Sequence, residues 1–79
     1  FMKELVQYLA KSLVNNPDAV EVIETQGETA SVLELKVAKE DLGRIIGKQG
    51  RTAKSIRTIL NAAASRANRK VVLEIVEEK

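Results

Sequence analysis

Ile45-Ile46-Gly47-Lys48-Gln49-Gly50-Arg51-Thr52 lies between two stretches with helical periodicity, and its reading decides the fold. Two glycines three apart enclose two polar residues. Glycine lacks a Cβ, so it can take φ > 0 and leave its N–H uncovered where the backbone passes close to something bulky. The stretch that follows is patterned as a helix, so these amides sit at a helix N-terminus, where the macrodipole favours an anion. Lys48, Arg51 and Lys54 add positive charge with no acid beside them. The local reading is a phosphate-binding turn. Gly-x-x-Gly alone describes a tight corner between two helices equally well. A nucleotide P-loop is excluded more firmly. It needs G-x-x-x-x-G-K-[ST], whereas three residues separate Gly43 from Gly47 and Gln49 follows Lys48, so no hydroxyl is available for magnesium.

The charge distribution supports the anion reading. Net charge is only +2, yet from Leu42 to Leu73 there are eight basic residues (Arg44, Lys48, Arg51, Lys54, Arg57, Arg66, Arg69, Lys70) and no acid. All eleven acids lie elsewhere. A charge run is usually a solvated face, but segregation this complete around a glycine turn points to a polyanion, and so to nucleic acid. The chain has no cysteine and no histidine. That removes disulfides, thiolate metal sites, the commonest general base and the commonest metal ligand. No nucleophile is paired with a base, so no catalytic residue, metal site or cofactor is expected. No signal peptide or membrane-spanning run is evident. Seventy-nine residues make one small domain. Phe1 before Met2 reads as a cloning remnant, with Met2 the native start and the domain covering 2–77.

Working outward from the turn, Leu42, Ile45 and Ile46 place a short helix over 40–46, its acids suiting the dipole at its start. Gly43 inside it costs about 1 kcal/mol against alanine, which predicts close packing against a neighbouring helix or a ligand. After the turn, Ala53, Ile56, Ile59, Leu60, Ala63, Ala64 and Ala67 give a helical stripe over 51–67. Ala67-Asn68-Arg69-Lys70 is a short connection, and Val71, Leu73 and Ile75 alternate in a last strand. Upstream, Leu5, Val6, Leu9, Ala10, Leu13 and Val14 mark a helix over 2–15, closed by Asn16-Pro17. Val20 to Gln26 and Ser31 to Ala38 read as two strands joined by a turn at Gly27. Their outward acids, Glu21, Glu24 and Glu34, make that face an unfavourable one for nucleic acid. A strand, two helices and a strand cross over right-handedly, so the last strand should lie parallel to the second. The expectation is an α+β fold, α-β-β-α-α-β, with a three-stranded mixed sheet covered on one face by three helices.

This order, with Ile45-Ile46-Gly47-Lys48-Gln49-Gly50 between its central helices, resembles the type II KH domain over essentially 2–77. The stretch Asp41 to Thr52, in so short a chain, is similar to the small bacterial single-KH-domain family called KhpA. The likeness implies that about four nucleotides of single-stranded RNA or DNA are held, the backbone clamped by the Gly-x-x-Gly loop. The N–H groups of Gly47 to Gly50, with Lys48 and Arg51, would hold phosphates, and Gln49, Thr52 and Lys54 would belong to the same RNA-binding surface. Ile45 and Ile46 would form an aliphatic floor for the bases, and Arg69 and Lys70 would close the far side. Edge-strand backbone groups around Val72 would read base edges. Ala53 departs from the larger aliphatic of many KH domains, which leaves base preference open. Tyr8, the one aromatic besides Phe1, is far along the chain, so base–aromatic stacking is not available. The KhpA likeness further implies a cytoplasmic RNA-binding protein with RNA-chaperone character. It also implies association with a larger KH-containing partner, KhpB, and an influence on cell-wall synthesis and cell shape.

Two other readings stay open on the residues alone. Arg51, Lys54, Ser55 and Thr58 could form the recognition helix of a helix-turn-helix protein on double-stranded DNA. The domain could also serve protein interaction only, its basic face incidental. Ile59 falls at the edge of its helix's apolar arc, with Ala63 and Arg66 beside it. That surface is expected to pair with a second copy or with a KH-containing partner, unless Ile59 tucks under the first helix.

Overall fold

The computed structural model describes residues 2–77; Phe1 and residues 78–79 lie outside the described residues. Six principal elements follow in the order α1 (Met2–Leu13), β1 (Glu21–Gln26), β2 (Ala30–Val37), α2 (Leu42–Ile46), α3 (Arg51–Arg66) and β3 (Lys70–Glu77). Short 3-10 turns at Pro17–Ala19, Lys39–Asp41 and Lys48–Gly50 join them. β1 pairs antiparallel with β2, and the two-helix crossover returns β3 parallel to β2. The sheet order is therefore β1-β2-β3, with β2 central and β3 at an edge.

Alternation along the strands decides which face is covered. Leu33, Leu35 and Val37 on β2 are fully buried, and Val71 and Leu73 lie on the same face of β3. Against them pack Val6 and Ala10 of α1, Ile45 of α2 and Ile56, Leu60 and Ala64 of α3. The stripe on α3 is rich in alanine, which lets a 16-residue helix lie close to its neighbours. The opposite sheet face carries Glu21, Glu34 and Lys36, whose ion pairs at 3.8 Å are solvent-accessible and contribute little.

α1 ends at Leu13, two residues short of the expected 15, because Pro17 opens its own 3-10 turn and the chain between is held from elsewhere. The holder is Asp41. Its carboxylate is fully buried and accepts the N–H groups of Asn15 at 3.1 Å and Asn16 at 3.0 Å, with Arg44 Nε 3.9 Å away. Asp41 stands at the N-cap of α2 but makes no side-chain cap bond there, so its work is tertiary and not the dipole role the sequence suggested.

The C-terminus of α3 closes in a Schellman motif. Asn68 takes φ 56°, its N–H donates to the Ser65 carbonyl at 3.1 Å, and the Arg69 N–H donates to the Ala64 carbonyl at 2.8 Å. This turn swings Ala67, expected on the covered face, into solvent.

Candidate nucleic-acid interface

The α2–α3 corner owes its shape to three positive-φ residues among four. Gly47 has φ 77°, Gln49 φ 58° and Gly50 φ 75°. Gly47 is required twice over: a Cβ there would lie 2.6 Å from Thr52 Cβ and 2.8 Å from Thr52 N. Gly50 is required only by its φ, since nothing stands within 4 Å of the position a Cβ would take. Gly43 is exposed and likewise open within 4 Å, so the expected packing against a neighbouring helix is absent there.

The corner's own hydrogen bonds decide which amides face outward. The Gly47 N–H donates to the Gly43 carbonyl at 2.8 Å, and the Gly50 N–H to the Gly47 carbonyl at 3.1 Å. The Arg51 N–H donates to the Lys48 carbonyl. The amides of Lys48 and Gln49 make no such bond. The uncovered donors are thus these two, backed by the N-terminus of α3, and not the whole run Gly47 to Gly50. Arg51 Nη2 donates to Gln49 Oε1 at 3.3 Å, which keeps its guanidinium over the turn. Lys48 and Lys54 are exposed beside it.

The two isoleucines part company. Ile45 is 0% exposed and belongs to the core, so it supports the corner from beneath and offers no floor to a ligand. Ile46, 39% exposed, is the aliphatic surface next to the glycines.

Arg69 also departs from the sequence reading. Its guanidinium donates to the carbonyls of Gly27 (3.3 Å) and Glu28 (3.5 Å) and to Ser31 Oγ (3.0 Å). It staples the β1–β2 turn to the start of β3, so most of its donors are engaged. Lys70 stays exposed.

Between α3 and the edge of β3 lies a cleft of about 170 Å³ whose walls include Arg57, Leu60, Asn61, Val71 and Leu73. Arg57 Nη2 reaches the Leu73 carbonyl at 3.4 Å, which marks that carbonyl as facing the open edge. The Lys70 N–H, by contrast, donates inward to the Thr29 carbonyl at 3.0 Å. With a two-residue repeat, the outward backbone groups belong to Val71 and Leu73, and those of Val72 turn toward β2. Arg57 and Asn61 were not singled out from the sequence. The i, i+4 spacing of two polar residues either side of Leu60's stripe was the available signal.

On the outer side of α3, Ile59 is 45% exposed, Ala63 is half-buried and Arg66 is exposed. Among the described residues no group of three or more His, Cys, Asp or Glu could hold a metal ion, and no helix is long and apolar enough to cross a membrane.

A mixed three-stranded sheet covered by three helices, two of them joined through a Gly-x-x-Gly corner, defines the type II KH-like fold. Within that class, the family model described as KhpA/KhpB, KH domain matches residues 3–75, and the chain belongs to this family, which is not enzymatic. It is 59% identical to the RNA-binding protein KhpA of Clostridium perfringens, over 95% of this chain and 100% of the relative. Identity to the Chlamydia pneumoniae RNA-binding protein KhpA is 54%, over 99% and 100%. Among solved structures, Era in complex with MgGDPNP and nucleotides 1506–1542 of 16S ribosomal RNA superposes with a TM-score of 0.63 at 26% identity. That match covers 96% of this chain but only 29% of Era's.

Proposed function

We propose that this chain is a single-stranded RNA-binding protein, one KH domain over 2–77 that clamps about four nucleotides. The observation that carries the reading is the corner itself: two unpaired amides, of Lys48 and Gln49, at a helix N-terminus ringed by Lys48, Arg51 and Lys54. Phosphates seat on those amides and cations. Bases turn toward Ile46 and the cleft along α3, where the edge of β3 supplies backbone groups at Val71 and Leu73. The RNA-binding names of the relatives support the same reading.

The helix-turn-helix alternative fares worse. The hydroxyls of Ser55 and Thr58 donate back to the carbonyls of Arg51 and Lys54 at 3.0 and 2.9 Å, so they are turned onto their own helix and away from any base edge. Anisotropy titration with a fluorescent single strand and the matching duplex separates the two. Preference for the single strand is the expected result; equal affinity for both favours the duplex reader.

The finer features follow the family and stand as part of this proposal: action in the cytoplasm as an RNA chaperone, partnership with the larger KH-containing KhpB, and influence on cell-wall synthesis and cell shape. Pairing with a second copy or with KhpB would use Ile59, Ala63 and Arg66, because a half-exposed aliphatic beside small neighbours allows close helix approach. One KH module covers few nucleotides, and two held together gain through effective concentration.

A further inference from the structure

The groove beside Arg57 shares Asn61 and Val71 with a second, more open cleft of about 480 Å³ at the C-terminal end of α3. The two differ in chemistry. Leu60, Val71 and Leu73 give the first an aliphatic floor, the kind of surface a base covers. Thr29, Asn61, Ser65, Asn68 and Lys70 give the second two hydroxyls, two amides and an ammonium, with Ala64, Val71 and Arg69 completing its lining. Those first five residues are exposed. None of their side chains makes a hydrogen bond or ion pair to another described residue.

The walls of this second cleft are already fixed. Asn68 is the left-handed residue of the Schellman turn, at φ 56°. The Arg69 guanidinium ties the β1–β2 turn to the connection, and the Lys70 N–H bonds the Thr29 carbonyl at 3.0 Å. Two segments distant in sequence, the β1–β2 turn and the α3–β3 connection, are locked together, so a ligand need not order them on binding.

The donor set selects the ligand. A phosphate needs donors and positive charge only, and a base needs an apolar plane. A hydroxyl next to a phosphate needs groups that both donate and accept, plus one cation. Amide and hydroxyl side chains do both, and Lys70 is the free cation, since the guanidinium of Arg69, which also lines the cleft, already donates to Gly27, Glu28 and Ser31. In a single strand the ribose 2′-OH is such a group, and it is the group by which a protein tells RNA from DNA. The 16-residue α3 places Ser65 about 21 Å along the helix from Arg51 at 1.5 Å per residue. The sugar read here therefore belongs to a different nucleotide from the one whose phosphate meets the glycine corner.

We propose that the polar cleft formed by Thr29, Asn61, Ser65, Asn68 and Lys70 reads a ribose 2′-OH and makes the protein prefer RNA to DNA. The inference rests on the single-strand reading above. Its test uses the full chain and a randomised four-nucleotide pool, matched to the footprint so that one register is bound, prepared as RNA, as DNA with deoxyuridine for thymidine, and as RNA with one 2′-deoxy position at a time. The variant is Ser65→Ala/Asn68→Gly, two residues that line the polar cleft and not the one along Arg57. Alanine suits the helix and glycine keeps the left-handed C-terminal residue, so the fold is retained. The parent should bind RNA roughly three- to tenfold tighter than DNA, the worth of one or two neutral hydrogen bonds. The loss should concentrate at one or two adjacent deoxy positions near one end, and the variant should bind both pools alike. Equal affinity of the parent for RNA and DNA, or discrimination that survives in the variant, overturns the ribose site and leaves the clamp intact. Failure to bind either pool overturns both.

Discussion

The side chain of Thr52 occupies the space that any side chain on Gly47 would need. Gly47 is at φ 77°, so the corner is fixed by conformation and by contact at once. Gly50, at φ 75°, has open space around it. Alanine at position 50 should cost about 1–2 kcal/mol, the left-handed penalty alone. At position 47 the same change should cost more, about 2–4 kcal/mol, since strain and overlap combine. Urea denaturation of Gly47→Ala and Gly50→Ala checks the order. Equal costs would mean that Thr52 yields without resistance.

Asp41 joins the end of α1 to the start of α2, and α2 carries the corner. Asp41→Ala leaves the amides of Asn15 and Asn16 without their acceptor and is expected to cost about 2–3 kcal/mol. Asp41→Asn keeps one oxygen and should fall between. A chemical melt in which all three proteins coincide would contradict this anchoring role.

Arg69 should act on the fold more than on the ligand. Arg69→Ala removes two hydrogen bonds to the β1–β2 turn and one to Ser31 at the start of β2, and should lower stability by about 1–2 kcal/mol. The salt slope of RNA binding should change less than it does for Lys54→Ala. A loss of slope as large as that for Lys54, at unchanged melting temperature, would return Arg69 to the phosphate contacts.

Ile59 tests self-association. Ile59→Lys should give a folded monomer with weakened RNA binding, because a charge replaces the aliphatic contact and two modules no longer act together. Light scattering of the parent at high micromolar concentration decides it: a monomer there removes the dimer.

The element order and the covered face were legible because period-2 and period-3.6 patterns are strong in β2, β3 and α3. What the sequence could not show depends on contacts between distant residues. Ile45 and Ile46 are adjacent and equally aliphatic, and only packing of α2 against the core puts one inside and the other out. Arg69 reads as a free cation until the β1–β2 turn, some forty residues earlier, is folded against it. Asp41 looked like a helix-start acid because its true partners lie across the α1–β1 connection. The outward amides narrowed to Lys48 and Gln49 for a local reason, since the corner's own bonds take those of Gly47 and Gly50.

The most direct test of the account is RNA binding by the Lys48→Asp/Gln49→Asp double variant against the parent, read by anisotropy over a salt series. Both glycines remain and both side chains are exposed, so the melting temperature should hardly move. For the parent, contacts by Lys48, Arg51 and Lys54 predict a slope of log K against log salt of roughly −2, at about −0.7 per contact for single strands. Binding by the variant should be lost or reduced at least tenfold. A variant that binds single-stranded RNA as tightly as the parent, with the same slope, would contradict the clamp.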